Sequence, residues 1–206
     1  MAVKLYRAAW STNCERIALA LAHKGIETES VWIDYADRSL VQRVSGQDLV
    51  PVLEDDGAVV HDSPAILAYL DARYPQAPLY PTAPARRAEL ECFVDWFNHV
   101  WKRWPNAIAE EREGRVPEDE RTIQVAAFEL ESALDRFTAL LDGRDFLFGD
   151  FSAADCVAYP FLKYALHRDP SDDETFHVVL DEHQVLRPQH APLAAWIERV
   201  DALPRV

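Results

Sequence analysis

The sequence contains little cysteine and no long hydrophobic run. Its three cysteines, Cys14, Cys92 and Cys156, are an odd number without the spacing of a disulfide scaffold, which indicates a reducing compartment. No stretch approaches the ~18 uninterrupted apolar residues that a membrane-spanning helix needs, and residues 1–5 do not begin a signal peptide. We therefore expect a soluble, cytoplasmic protein with no membrane partner.

Positive charge is also scarce. The chain has 21 Lys and Arg against 35 Asp and Glu, giving a net charge of −14. Nucleic acids and anionic membrane surfaces both reward clustered Lys and Arg, so this balance argues against them as partners. The seven histidines show no metal-ligand spacing, and neither a phosphate loop nor a Ser-His-Asp arrangement is apparent. No metal site is predicted.

The stretch from Val50 to Ile66 has the clearest local pattern. Two short β-branched runs, Val50–Leu53 and Ala58–Val60, flank an Asp-Gly pair, which predicts a tight hairpin. Ser63 is a suitable N-cap and Pro64 a suitable first helical residue. Pro51 cannot donate a ladder hydrogen bond, so a strand that contains it needs an edge position or a special role such as a cis peptide.

The rest of the first 75 residues predicts an α/β layer. The predicted elements are a strand at 3–6, a helix at 14–24, a strand at 28–33, a short irregular helix at 37–44, and a helix after the hairpin to about residue 74. The resulting order, βαβαββα, is the thioredoxin-like arrangement.

A proline-rich segment follows, with four prolines between Tyr74 and Pro84. Proline at this density makes a stiff extended connector, so we predict domains at 1–75 and 85–206 with a linker at 76–84. The second domain is predicted to be all-α, a helical bundle. Its predicted helices span 86–111 with a bend near Pro105, 119–141, and 153–166 behind a Ser152/Asp155 capping box.

Several motifs together resemble the glutathione transferase superfamily, in particular cytosolic, serine-type, theta- or zeta-like bacterial members. They are Val50-Pro51-Val52-Leu53, Asp62-Ser63-Pro64-Ala65-Ile66, the Gly-x-Phe-Ser-x-x-Asp run at 149–155, and the last helical stretch at 192–204. The resemblance implies a thioredoxin-like domain followed by a helical domain. It also implies glutathione as co-substrate, a hydrophobic electrophile as second substrate, a role in detoxification, and a homodimer.

The same resemblance assigns the glutathione site. It implies that Pro51 is cis, that the Val50 backbone pairs with the glutathione cysteine, and that Asp62 and Ser63 hold the γ-glutamyl end. The family often has Lys or Arg before Val-Pro, where this chain has Leu49. Gln42 or Arg43 are candidates to replace that cation, and a thiol other than glutathione is an open alternative.

Ser11 is the predicted catalytic residue. It lies at the start of the first helix, where the helix dipole favours an anion. In serine-type transferases this serine donates a hydrogen bond to the glutathione thiolate, although a serine here can also simply cap the helix. Thr12 is an alternative if the loop register shifts, and Tyr6 if the enzyme is tyrosine-type. Cys14 is the alternative nucleophile for a thiol–disulfide reductase.

An aromatic stripe along the first long helix supplies the predicted substrate pocket. Phe97, Trp101 and Trp104, together with Trp10, are the predicted lining. In the resembled fold this helix lines both the substrate pocket and the dimer contact, although an aromatic stripe is more often core. The predicted function is glutathione transfer to a hydrophobic electrophile; the alternatives are a non-catalytic ligand-binding or assembly protein and a reductase that uses Cys14.

Overall fold

The computed structural model describes residues 3–117 and 119–206. The chain divides into two compact units. The first runs to Ala83 and also takes in Leu203–Val206, and the second spans Pro84–Ala202. The last four residues therefore belong to the first unit, whereas the sequence predicts them in the helical domain.

The first unit has the predicted βαβαββα order. Its elements are β1 (Val3–Arg7), α1 (Thr12–His23), β2 (Thr28–Trp32), α2 (Ser39–Ser45), β3 (Val52–Asp55), β4 (Ala58–His61) and α3 (Ser63–Arg73). The strands form one sheet in the order β2-β1-β3-β4, with β1 and β2 parallel and the other pairs antiparallel. The thioredoxin-like fold class is confirmed for this unit.

The core of the first unit lies between the sheet and two helices. Leu5 of β1 pairs in register with Leu53 of β3, and both side chains are fully buried. Apolar residues at helical spacing bury one side of α1, including Ile17 and Leu21, and α1 also contacts α3. Burial of these side chains fixes the register of the strands that lead to the site.

The hairpin forms as predicted, with a two-residue turn. Asp56 and Gly57 both have positive φ, 48° and 85°, as a type I′ turn requires. Two boundaries differ from the prediction. The strand β3 begins at Val52, because Pro51 has no N–H for the ladder. The residue at the N-cap position of α3 is Asp62, with φ 69°, and Ser63 is the first helical residue.

The proline-rich connector is packed onto the first unit. Leu79 is fully buried, and its N–H donates to Asp71 Oδ1 at 2.8 Å. Lys24 Nζ donates to three carbonyl oxygens along the connector, those of Tyr74, Gln76 and Ala77, at 2.8, 3.3 and 3.1 Å. These bonds satisfy carbonyl groups that no regular element would pair.

The second unit is all-helical. Its helices are α4 (Pro84–Trp96), a π-helical turn (Phe97–Trp101), α5 (Arg103–Arg112), α6 (Glu120–Leu140), α7 (Ala153–Leu162), α8 (Thr175–His183) and α9 (Ala191–Asp201), with short 3₁₀ turns at Lys163–Ala165 and Pro188–His190. The predicted single helix over 86–111 is thus interrupted at 97–101. The interruption comes just before Pro105, which cannot donate a backbone bond to the preceding turn.

The capping box at the start of α7 is confirmed, and it organises a buried polar centre. Asp155 is completely buried and accepts four hydrogen bonds: from Leu147 N, Ser152 N, Ser152 Oγ and Trp196 Nε1, at 3.0, 2.9, 3.0 and 2.8 Å. Burial raises the pKa of Asp155 to about 6, although these hydrogen bonds oppose the shift. The carboxylate ties the loop before α7 to α9.

In the part of the chain that the structure describes, no helix has both the length and the apolar character to cross a membrane.

Candidate functional site

A cavity of about 140 Å³ in the first unit brings the predicted glutathione residues together. It is lined by Asn13, Gln47, Leu49, Val50, Pro51, His61, Asp62 and Ser63. The four residues that the resemblance assigned to glutathione are all in this lining. Asn13, Gln47 and His61 are additional lining residues that were not assigned a ligand role.

The Val50–Pro51 peptide bond is cis, as the resemblance implies. The paired register of β3 starts one residue later, with Val52 opposite His61 of β4 and Tyr6 of β1. Val50 thus lies outside the ladder and in the cavity wall, where a backbone group can pair with an extended ligand.

Asp62 and Ser63 occupy the junction between β4 and α3. The Asp62 side chain is exposed and makes no capping hydrogen bond, so its carboxylate is available to a cationic group. Ser63 is buried, 3% exposed, and its Oγ accepts a hydrogen bond from Arg16 Nη1 at 3.1 Å. The two residues therefore offer a negative group and a hydroxyl group next to each other.

Gln47 also lines the cavity. Its side chain bridges the loop before Pro51: Nε2 donates to Ser45 Oγ at 3.1 Å and to Leu49 O at 2.7 Å, and Oε1 accepts from Leu49 N at 2.6 Å. Gln42 and Arg43, the candidates to replace the Lys or Arg that the family often has before Val-Pro, are not in the lining. Arg43 instead donates to Ser39 Oγ within its own helix, at 3.3 Å.

Ser11 is the N-cap of α1. Its Oγ accepts from Cys14 N at 3.3 Å, and the side chain is half-buried. The oxygen is the acceptor in this bond, so capping leaves the O–H able to donate to an anion. Ser11 itself is not in the cavity lining, but Asn13, two residues further along the same helical turn, is.

The alternative nucleophile and the alternative hydroxyls have less suitable surroundings. Cys14 is 1% exposed, and burial raises the pKa of its thiol, a shift that hydrogen bonds with Ser11 and the Ala8 backbone only partly oppose. A buried thiol held protonated is a poor nucleophile. Thr12 is buried in the first turn of α1.

Tyr6 is engaged within the sheet. Its hydroxyl donates to Glu54 Oε2 at 2.7 Å, and burial together with this bond raises the pKa of Tyr6 to about 12. The tyrosine-type alternative gains no support, because the O–H already has an acceptor.

The residues predicted to line the substrate pocket do not share one environment. Phe97 and Trp101 are stacked at a centroid distance of 4.4 Å and are 0% and 1% exposed, in an aromatic cluster with Phe137 and Phe161. Because neither side chain is accessible, the structure favours the core alternative for both. They fill the interior of the helical unit.

The two remaining tryptophans are accessible. Trp104 is half-buried, with the Arg103 guanidinium 4.1 Å from its ring centroid. Trp10 is 45% exposed and has a φ of 61°, in the left-handed region that a bulky residue rarely adopts. Trp10 immediately precedes Ser11.

The second unit carries its own groove, of about 720 Å³. It is lined by Ala85, Arg86, Ala88, Glu89, Cys92, Phe93 and Trp96 of α4, together with Leu140, Arg144 and Phe148. The residues predicted to bind substrate are absent from this lining. Within residues 3–117 and 119–206, no group of three or more His, Cys, Asp or Glu side chains is placed to hold a metal ion.

Family models match both units of the chain. The model of the glutathione S-transferase N-terminal domain matches residues 5–78, and the model of the glutathione S-transferase C-terminal domain matches residues 122–199. The two matched segments follow one another and together cover most of the sequence.

Individual similar proteins include glutathione S-transferases and an isomerase. Glutathione S-transferase Z1 of Arabidopsis thaliana is 36% identical over 92 residues, which are 42% of this chain and 41% of that protein. Maleylacetoacetate isomerase of Pseudomonas aeruginosa is 37% identical over 93 residues, 42% of this chain and 44% of that protein. These two matches span less than half of each relative. Glutathione S-transferase GstB of Escherichia coli K12 is 29% identical over 163 residues, 74% of this chain and 77% of that protein.

Solved structures agree on the fold. The β-etherase LigF of Sphingobium sp. strain SYK-6 has a TM-score of 0.78 at 22% identity, with 98% of this chain and 96% of that chain covered. A glutathione S-transferase of Methylobacillus flagellatus, solved with glutathione bound, has a TM-score of 0.67 at 26% identity, with 92% and 97% covered. Since both family models match in succession and the architecture matches as well, the chain belongs to the glutathione transferase superfamily.

Proposed function

We propose that this protein activates the thiol of glutathione for attack on a hydrophobic electrophile. The observation that carries the proposal is the cavity of the first unit. There the cis Val50–Pro51 segment and the Asp62–Ser63 pair lie together with Asn13, from the first turn of the helix that Ser11 caps. A ligand with a peptide backbone, an ammonium group and a carboxylate matches these groups.

In the proposed complex each residue has one role. Asp62 accepts from the ammonium group of the γ-glutamyl residue, Ser63 donates to its carboxylate, and the Val50 backbone pairs with the cysteine of glutathione. Ser11 donates its O–H to the sulfur. This bond and the N-terminus of α1 stabilise the thiolate, which is the reactive form of the thiol. The thiolate then forms a C–S bond with the electrophilic carbon, and the leaving group departs with its electron pair.

The first prediction tests Ser11. In Ser11→Ala we expect kcat/KM with a generic aryl halide to fall by roughly tenfold to a hundredfold, because a charge-assisted hydrogen bond of about 1.5–3 kcal/mol is lost. The ultraviolet absorbance of bound thiolate should shift to higher pH, while calorimetric binding of glutathione changes little.

Asp119→Ala is the matched control. Asp119 caps α6, accepting from Arg121 N and Thr122 N, so its removal also costs about 1 kcal/mol of stability through a lost cap but leaves the cavity untouched. If Ser11→Ala changes activity no more than Asp119→Ala does, Ser11 is a cap and nothing else.

Isomerisation is a second candidate reaction. One relative is named maleylacetoacetate isomerase, and isomerisation begins with addition of the same thiolate. The product distinguishes the reactions: conjugation consumes glutathione in proportion to product, whereas isomerisation regenerates it. A reductase acting through Cys14 would lose activity in Cys14→Ser and keep it in Ser11→Ala. Intact glutathione binding without turnover of any of these substrates would indicate a carrier.

We further propose that the protein is a cytoplasmic homodimer. The family resemblance supports a dimer contact along the first long helix of the helical domain. The accessible groove with Ala88, Phe93 and Trp96 on α4 is consistent with such a contact. None of Cys14, Cys92 and Cys156 forms a disulfide, which suits a reducing compartment.

A further inference from the structure

We propose that Arg16 is a positioning residue that holds the Ser63 hydroxyl as a hydrogen-bond donor toward an anionic ligand group in the cavity. The inference rests on the proposed function. It adds the residue that prepares Ser63 to bind the carboxylate of the γ-glutamyl group.

The geometry places a permanent cation directly behind the cavity wall. Arg16 lies on the buried side of α1, and its side chain has no exposed surface. Its Nη1 is 3.1 Å from Ser63 Oγ in a buried contact. Ser63 in turn lines the cavity, so Arg16 reaches the ligand space through one side chain.

The chemistry of the two groups fixes the direction of the hydrogen bonds from Arg16 to Ser63 and from Ser63 into the cavity. A guanidinium group has donors and no acceptor, so Ser63 Oγ must accept from Arg16. A hydroxyl has a single hydrogen, and acceptance from Arg16 leaves that hydrogen to be donated elsewhere. Donation into the cavity requires an acceptor there, and polarisation by the adjacent cation makes the hydroxyl a stronger donor.

The polar groups at this end of the cavity suit the ammonium and carboxylate groups of an α-amino acid. The Ser63 hydroxyl, polarised by the Arg16 guanidinium, is suited to donate to an anionic acceptor such as a carboxylate. Asp62, the preceding residue, presents an exposed carboxylate that suits an ammonium group. An anionic side chain followed by a hydroxyl donor thus matches a zwitterionic group, with its ammonium at Asp62 and its carboxylate at Ser63.

The test compares two thiol ligands by calorimetry. One is glutathione, and the other is 4-aminobutyryl-cysteinylglycine, which keeps the amine and the thiol but lacks the α-carboxylate. In Arg16→Gln we expect glutathione to bind at least about tenfold more weakly, while the affinity for the analogue changes less than twofold. Ser63→Ala should give the same pattern, and the double variant should lose no more than either single variant. In Asp62→Ala both ligands should weaken, because both carry the amine.

Equal losses for the two ligands in Arg16→Gln would overturn the inference, as would additive effects in the double variant. If Arg16→Gln does not fold, Ser63→Ala decides: an unchanged preference for glutathione over the analogue refutes the inference. Failure of the wild-type protein to bind glutathione would refute the proposed function itself. Binding by the wild type with equal losses in the variants would refute only the role of Arg16.

Discussion

Two serine side chains illustrate how much a single hydroxyl can do in this molecule. Ser11 accepts from the backbone of α1, and Ser63 accepts from Arg16. In each case the oxygen accepts from a local donor, and this acceptance does not use the hydroxyl hydrogen. Capping and catalysis are therefore compatible roles for Ser11, although the sequence presents them as alternatives.

The buried carboxylate of Asp155 gives a prediction at the same scale. Burial raises its pKa from 3.8 to about 6, so between these values the folded state binds more protons than the unfolded state. The contribution of Asp155 to the free energy of unfolding should therefore be largest below pH 4. It should fall by about 3 kcal/mol as the pH rises from 4 to 6, and stay constant above that.

Urea unfolding between pH 4 and 7 measures this effect as the difference between the wild type and Asp155→Asn. The difference should shrink as the pH rises. Asp173→Asn, which removes an exposed carboxylate near the start of α8, is the control. A difference for Asp155→Asn that does not vary with pH would contradict the assignment of the shift to this group.

At the scale of elements, the hairpin and its turn set the position of the cavity. The turn at Asp56-Gly57 fixes the register in which Val52 pairs with His61. His61 lines the cavity, and Val52 directly follows the lining residue Pro51. Glycine is needed at position 57 for its positive φ and not for lack of space, because a Cβ there would meet no atom within 4 Å.

Gly57→Ala should therefore lower the free energy of unfolding by about 1–2 kcal/mol, the cost of a left-handed conformation for an L-residue. Asp56→Asn should have almost no effect, because Asn accepts positive φ readily. Chemical denaturation of both variants checks this. Equal stability of Gly57→Ala and the wild type would mean that the turn relaxes to another type.

Local sequence pattern predicted most of the helices and strands. It missed one helical irregularity and one contact between residues far apart in sequence. The hairpin, the Ser152/Asp155 capping box and the βαβαββα order follow from residues close together in sequence. The spacing of the hydrophobic residues does not predict the π-helical turn at Phe97–Trp101. The contact between Arg16 and Ser63 joins residues 47 positions apart, so local sequence pattern could not show it.

The sequence leaves the core and pocket interpretations of the aromatic stripe open for a related reason. Phe97 and Trp101 have the spacing of one helical face, which is the same for a core stripe and for a pocket wall. Only packing distinguishes the two cases, and packing against Phe137 and Phe161 places both side chains inside.

At the scale of the whole molecule, the groove on α4 gives a prediction about assembly. If it is the dimer contact, Ala88→Glu should convert the wild-type dimer, with twice the chain mass of 23.5 kDa, to a monomer. The buried charge would be costly and would lie beside Glu89. Light scattering coupled to size-exclusion chromatography measures the mass. Ala195→Glu, at an exposed site on α9, is the control and should remain dimeric. A monomeric wild type or a dimeric Ala88→Glu would rule this contact out.

The contacts of Lys24 make the connector open to chemical mapping. Its side chain has no exposed surface and is held by Asp71 at 3.7 Å as well as by the three connector carbonyls, whereas the Lys4 side chain is 38% exposed. An acylating reagent should modify Lys4 on the native protein and spare Lys24. Peptide mapping by mass spectrometry after brief labelling would then report, at one residue, when the connector lifts from the unit on which it packs.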